Sequence, residues 1–360
     1  MPASGADFEL APRGGVLGVI ANPASGKDIR RLVAHADVTS NTAKRSMLVR
    51  ALLGAAQASE GAGHPVPETA RLEVRYLHDQ ANLAASAVEV AGLSGRAVDV
   101  GGRWNQAADT TAAARALRDA GAGAVLVLGG DGTCRAAVMG WPDIPIAALS
   151  TGTNNAFPVW IEPTVAGVAC GLLVSGALSL SDVADRSKIV RLQIDGEGDD
   201  LALVDAVLLS GSIIGARALN DIGALRACVL AFADPTAMGM SGIGGLALPC
   251  DRDEDIGVAM RFAADPGHKL PGSESARAGH VRGPFAPGRY EPIPIDEARL
   301  LPLGRTVTWT GPGLIALDGE RERVLRDGQT AVVWVERTGP FVIDVRHALR
   351  LAGERRLLWA

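Results

Sequence analysis

Aromatic side chains are scarce in this 360-residue chain: six Trp, six Phe and two Tyr make up 4% of it. That argues against a platform of stacked rings for single-stranded nucleic acid. Positive charge is not in excess either. Lys and Arg number 35 against 40 Asp and Glu, for a formal charge of −5 and a pI near 5.7. Nucleic acid and anionic membrane therefore lack an electrostatic footing as main partners, whereas an anionic small molecule needs only local cations. The four cysteines, Cys134, Cys170, Cys228 and Cys250, lie far apart with no C-x-x-C pair, and the six histidines show no ligand spacing. This argues against a disulfide or zinc framework and points to structural thiols in a reduced compartment. The longest nearly uncharged apolar candidate, residues 165–180, is too short to span a bilayer and is rich in Gly, Ala and Ser. The first residues carry no basic-then-apolar leader pattern. A cytoplasmic location without stable membrane association is expected.

What is present is apolar. Hydrophobic residues form 48% of the chain, and its length allows two domains, each with its own core. One stretch organises the rest: Ala124-Val125-Leu126-Val127-Leu128 runs straight into Gly129-Gly130-Asp131-Gly132-Thr133. Such a run bounded by turn residues reads as a buried parallel strand. The glycines allow close backbone approach to a ligand, and residues 134–139 suit the first turns of a helix. Strand, glycine turn and helix together aim N–H groups at a phosphate. A carboxylate there, Asp131, has two open uses: holding Mg²⁺ or accepting the proton of an attacking hydroxyl.

Two further loops follow the same plan. Residues 16–20 form a short apolar run ending in Ala21-Asn22-Pro23-Ala24-Ser25-Gly26-Lys27-Asp28. This is no Walker A loop, because Ala21 and Asp28 replace its first Gly and its Ser/Thr. Lys27 can still meet a phosphate as a point charge. Residues 144–149 form the third strand, followed by Ser150-Thr151-Gly152-Thr153-Asn154-Asn155-Ala156-Phe157-Pro158, whose hydroxyls and amides suit ribose and phosphate oxygens. Helices are expected over 42–58, 80–91 and 104–120, with strands over 72–77 and 97–100. Alternating strands and helices predict a parallel sheet with ligands beyond its carboxyl ends.

Beyond residue 160 the pattern changes. A helix over 165–175 precedes short strands over 189–194, 201–209, 256–262, 306–310, 313–317, 331–335 and 341–345, as in an antiparallel β domain. Residues 239–245, Gly-Met-Ser-Gly-Ile-Gly-Gly, read as a flexible glycine stretch, and 267–294 as a long exposed loop. Residues 346–358 are basic and amphipathic and are expected to dock as a helix on the first domain. The expected division is an α/β domain over 1–160, a β-rich substrate domain over 161–345, and a terminal segment over 346–360.

The order Asn22-Pro23-Ala24-Ser25-Gly26-Lys27, Gly129-Gly130-Asp131-Gly132-Thr133, Gly152-Thr153-Asn154-Asn155 and Leu317-Asp318-Gly319-Glu320 resembles the NAD kinase and diacylglycerol kinase superfamily. Within it, the chain is most similar to the ATP-NAD kinase branch that includes an acetoin-catabolism protein. The resemblance implies an N-terminal α/β domain with a parallel sheet, an all-β, sandwich-like C-terminal domain and a site in the cleft between them. It implies that Gly129, Gly130, Gly132 and Thr133 bind nucleotide phosphates, with Asp131 catalytic. It also implies nucleotide contacts from Asn22, Lys27, Thr153, Asn154, Asn155, Asp205 and Arg321, and catalytic or Mg²⁺-binding roles for Asp318 and Glu320. Arg323 joins Lys27 and Arg321 in neutralising charge. Two positions depart from the pattern: Ala156 stands where lipid kinases carry Asp, and Val204 replaces the amide of the Asn-acid pair that holds NAD. The implied reaction is phosphorylation of the NAD 2′-hydroxyl by ATP or polyphosphate with Mg²⁺, in a soluble homo-oligomer. The alternatives are a kinase for another hydroxylated metabolite or a lipid, and a non-catalytic nucleotide-binding accessory of an acetoin-type catabolic pathway.

Overall fold

The computed structural model describes residues 15–25, 39–60, 72–101, 106–152, 155–211, 222–262, 277–319 and 321–359, with the side chains of Arg277, Arg321 and Glu322 excepted. The first part alternates as predicted: β1 (Val16–Ala21), α1 (Asn41–Ser59), β2 (Glu73–Leu77), α2 (Leu83–Val90), β3 (Ser94–Val98), α3 (Ala107–Asp119), β4 (Ala124–Gly129), α4 (Asp131–Gly140) and β5 (Pro145–Ser150). Every residue of β4 and β5 is buried, which is why both strands are continuously apolar. Two boundaries differ from expectation. The Asp79 carboxylate accepts N–H bonds from Ala81, Leu83 and Ala84, so α2 begins later than residue 80. The short strand expected at 97–100 is β3, shifted towards the N-terminus.

The remaining elements are α5 (Pro163–Val174), α6 (Leu180–Val183), β6 (Ala184–Arg186), β7 (Ile189–Ile194), β8 (Asp200–Ala202), β9 (Asp205–Leu209), β10 (Leu225–Leu230), α7 (Met240–Ala247), β11 (Ile256–Phe262), β12 (Arg277–Ala286), β13 (Arg289–Pro302), β14 (Val307–Thr310), β15 (Gly313–Leu317), β16 (Arg321–Leu325), β17 (Thr330–Glu336), β18 (Phe341–Ile343) and α8 (Val345–Glu354). The first sheet has the order β3-β2-β1-β4-β5-β18-β6. It is parallel except for β6, with Val19 opposite Leu126 and Leu126 opposite Ala147. Two of its strands thus come from beyond residue 160. The second part holds two antiparallel sheets, β12-β13-β11-β10-β9-β15-β16 and β14-β17-β7-β8. Helix α8 is capped by Asp344, which accepts from the His347 N–H at 2.8 Å. It buries Val345, Ala348 and Ala352 in the core beneath the first sheet. Among the described residues, no helix is long and apolar enough to cross a membrane.

Three expectations are corrected. The glycine stretch at 239–245 is not a flexible linker; most of it forms the buried helix α7. A Cβ on Gly242 would lie 2.1 Å from the Ala237 carbonyl oxygen, and one on Gly245 2.2 Å from the Pro235 nitrogen. Glycine here permits close packing rather than mobility. The supposed loop at 267–294 is, from residue 277 on, the β12–β13 hairpin, whose Pro and Gly residues disguised its strands. The single strand expected at 201–209 is broken into β8 and β9, where Leu203 and Val204 give their N–H groups to Asp318 instead of a ladder. Strands β6, β10 and β16 were not expected at all.

Candidate active site

The three polar loops meet at the carboxyl ends of β1, β4 and β5. The Asn22 amide donates to Thr133 Oγ1 at 2.9 Å, while its Oδ1 accepts from the N–H groups of Ala24 and Ser25. The Ser25 and Thr151 hydroxyls lie 2.7 Å apart. Gly130 precedes α4, and a Cβ there would stand 2.7 Å from Asn155 Oδ1. Asn155 in turn donates to Ser150 Oγ at 2.9 Å. Asp131 is the first residue of α4, at the end where the helix dipole favours anions. Its carboxylate accepts the Ala156 N–H at 3.1 Å and the Phe157 N–H at 2.8 Å. Beside Gly132 and Thr133, between Asn22, Asp79 and Thr110, opens a cavity of about 100 Å³.

The structure supplies an organiser that sequence reading missed. Lys44, on α1 and wholly buried, donates to the carbonyls of Asn22 and Pro23 at 3.0 Å each and to that of Ser25. One ammonium thus shapes the first loop from 19 to 22 residues away, with no local motif to announce it. Lys27, Thr153, Asn154 and Glu320 lie outside the described residues, as does the side chain of Arg321.

Two carboxylates reach this region from the second part. Asp318 sits in the turn after β15 with φ of 50°. It accepts N–H bonds from Leu203 and Val204 at 2.8 Å and from Asp205 at 3.2 Å. Burial pushes its carboxyl above the ordinary range, against the pull of Arg135 and those three donors. Asp318, expected as a Mg²⁺ ligand, thus has both oxygens turned to backbone donors. Asp205, at the start of β9, differs. Burial first, then the charges of Asp318 and Asp131, hold its carboxyl well above the usual range. Among the described residues, no hydrogen-bond donor reaches that carboxylate. Asp131, Asp205 and Asp318, far apart in sequence, are therefore electrostatic neighbours.

Among the described residues, no group of three or more His, Cys, Asp and Glu side chains could by itself hold a metal ion. Asp205, repelled by Asp318 and Asp131, has no donor among the described residues. Arg323, expected to neutralise substrate charge, is bound to Asp200 at 3.0 Å and to Glu197. A second cation went unnoticed in the sequence: Arg252, from the turn before β11, donates to the carbonyls of Phe157 at 3.1 Å and of Ala156.

With this geometry in hand, known proteins offer a comparison. Residues 19–176 match the model of the ATP-NAD kinase N-terminal domain. Residues 188–338 match that of the acetoin catabolism protein X C-terminal domain. The chain is 36% identical over 361 residues to acetoin catabolism protein X of Cupriavidus necator, covering 99% of this chain and 96% of that protein. Among solved structures, yeast NADH kinase complexed with NADH matches with a TM-score of 0.52 at 10% identity, covering 95% of this chain and 87% of the other. That likeness is one of fold.

Proposed function

Starting from a chain that belongs to the acetoin catabolism protein X family, we propose that it is a phosphotransferase of the NAD kinase type. ATP or polyphosphate is the donor and the adenosine 2′-hydroxyl of NAD⁺ the acceptor. The observation carrying this reading is the convergence of the Asp131 glycine turn with the Asp205 carboxylate, a pair contributed by the two halves of the chain. Phosphoryl transfer asks mainly for positioning and charge stabilisation. The N–H groups at the start of α4 receive phosphate oxygens. Asn155 and Asp205 orient the acceptor, and Asp205, whose carboxyl is held above the usual range by burial and by Asp318 and Asp131, is suited to accept the hydroxyl proton. Mg²⁺, held by the donor's phosphates beside Asp131, would supply charge neutralisation at the transferred group. Asp318 holds residues 203–205 in place through their N–H groups. Asp131 anchors the loop after β5 and presents negative charge beside the phosphate site.

One observation favours a second reading, a nucleotide-binding protein without turnover. Val204, where the related kinases carry an amide, is buried, and the Asp131 oxygens already accept backbone N–H groups. A single assay separates the two. The protein is mixed with NAD⁺, Mg²⁺ and either ATP or polyphosphate, and NADP⁺ is read through a dehydrogenase specific for it, with Asp131→Asn alongside. The kinase reading expects NADP⁺ from the wild type and a fall of about a hundredfold or more in the variant, whose loop anchor is lost, with NAD⁺ affinity changed less than about tenfold. Wild type and variant equally inert, with NAD⁺ binding retained, would leave the binding-protein reading.

A further inference from the structure

Arg252 is the guanidinium in this region without a carboxylate partner among the described ion pairs. It stacks on the ring of Phe232 at 4.2 Å and lies 5.7 Å from that of Phe157. Its turn is rigidly held. Arg337 donates to the carbonyls of Arg252, Asp253 and Glu254 and pairs with Asp255 at 2.8 Å. Lys188 donates to the Asp251 carbonyl at 2.8 Å and to that of Ile256. From this mount Arg252 crosses to the loop after β5 and grips the carbonyls of Ala156 and Phe157.

The same segment is gripped from its other side. The N–H groups of Ala156 and Phe157 both point at the Asp131 carboxylate. The Ala156 carbonyl and the Phe157 N–H belong to one planar peptide group, whose C=O and N–H point in opposite directions. That group lies between a guanidinium on one side and a carboxylate on the other. Each charged partner polarises it in the sense that strengthens the other bond.

We propose that Arg252 is a positioning residue for Asp131, acting from the second domain through the Ala156–Phe157 peptide group. The glycine-turn carboxylate is then held more firmly while the second domain is docked. The link to turnover rests on the kinase reading above; the mechanical link does not.

The test reads both. In the full-length protein, hydrogen exchange of the Ala156 and Phe157 amides is measured for wild type, Arg252→Met, Arg252→Lys, Asp131→Asn and the Asp131→Asn/Arg252→Met double variant. Loss of one charge-assisted bond predicts exchange about tenfold faster in Arg252→Met and in Asp131→Asn. Because both act on one peptide group, the double variant should exchange within about twofold of the faster single variant. Arg252→Lys, which keeps the charge but not the two-pronged reach, should fall between wild type and Arg252→Met. It also carries the test should Arg252→Met fail to fold. Unchanged protection in either Arg252 variant that folds, or multiplicative effects in the double variant, overturns the proposal. In the NADP⁺ assay, Arg252→Met should lower kcat about tenfold or more with KM for NAD⁺ within about twofold. A loss carried by KM instead would make Arg252 a substrate-binding group and overturn the positioning role. Coupled exchange in a wild type that makes no NADP⁺ would support the latch and count against the kinase.

Discussion

Two glycine-rich stretches, Gly129-Gly130-Asp131-Gly132 and Gly242-Ile243-Gly244-Gly245, have similar composition and opposite fates. The first ends a buried parallel strand, so its turn falls at the sheet edge where ligands bind. The second follows β10 and forms a helix packed into the core of the second domain. The difference lies in what a Cβ would strike. At Gly130 it meets the Asn155 side-chain oxygen, which can swing away; at Gly242 and Gly245 it meets backbone atoms, which cannot. Glycine in the first stretch makes room for neighbouring side chains at the proposed phosphate site, and in the second it makes room for neighbouring backbone.

Four substitutions sharpen or break that contrast. The largest effect is expected from Gly245→Ala, which forces backbone apart in a packed core and should cost about 3 kcal/mol. Urea unfolding measures it, and an unshifted midpoint would mean α7 is not packed as described. Lys44→Met should follow at about 2 kcal/mol, because the carbonyls of Asn22, Pro23 and Ser25 lose their shared donor. Its thermal transition should fall together with NAD⁺ affinity, since the same loop is loosened. Gly130→Ala should cost only about 1 kcal/mol yet weaken NAD⁺ binding by about tenfold or more in calorimetry. If it behaves like Gly245→Ala, losing stability and keeping affinity, the division between the two stretches collapses.

The smallest change concerns the carboxylate facing the first stretch. The Asp205 pKa is raised in the folded protein, by burial and by Asp318 and Asp131. The protonated group's contribution to stability is therefore complete below the unfolded carboxyl value of about 3.9 and is lost as pH rises through the folded value. Asp205→Asn removes that loss and should be about 1 kcal/mol more stable than wild type above the folded pKa. The advantage should shrink towards pH 4. Chemical denaturation at pH 5 and pH 8 tests this; an advantage that grows with acidity would mean that Asp205 is held as a charged partner.

Much of the fold is legible in sequence because its signals are contiguous. The apolar run of β4, its glycine turn and the start of α4 lie side by side in the chain. Strands β7, β11 and β15 begin and end where their apolar runs do, between turn residues. Helix α8 follows from the basic, amphipathic pattern of residues 346–358. The hairpin β12–β13 escaped notice because its Pro and Gly residues read locally as loop, although β12 lies at the sheet edge and β13 pairs on both sides, and only pairing distinguishes a strand from a loop there.

At the site, local sequence determined the glycine turn with Asp131, together with Asn22 and Asn155 on the neighbouring loops. It carried no sign that Lys44 shapes the Asn22 loop, that Asp318 spends its oxygens on the backbone of residues 203–205, or that Arg252 and Asp131 hold one peptide group between them. Those assignments join residues that are distant in the chain. They depend on where burial removes water and leaves carbonyls and N–H groups in need of partners, and that need exists only once the chain has folded.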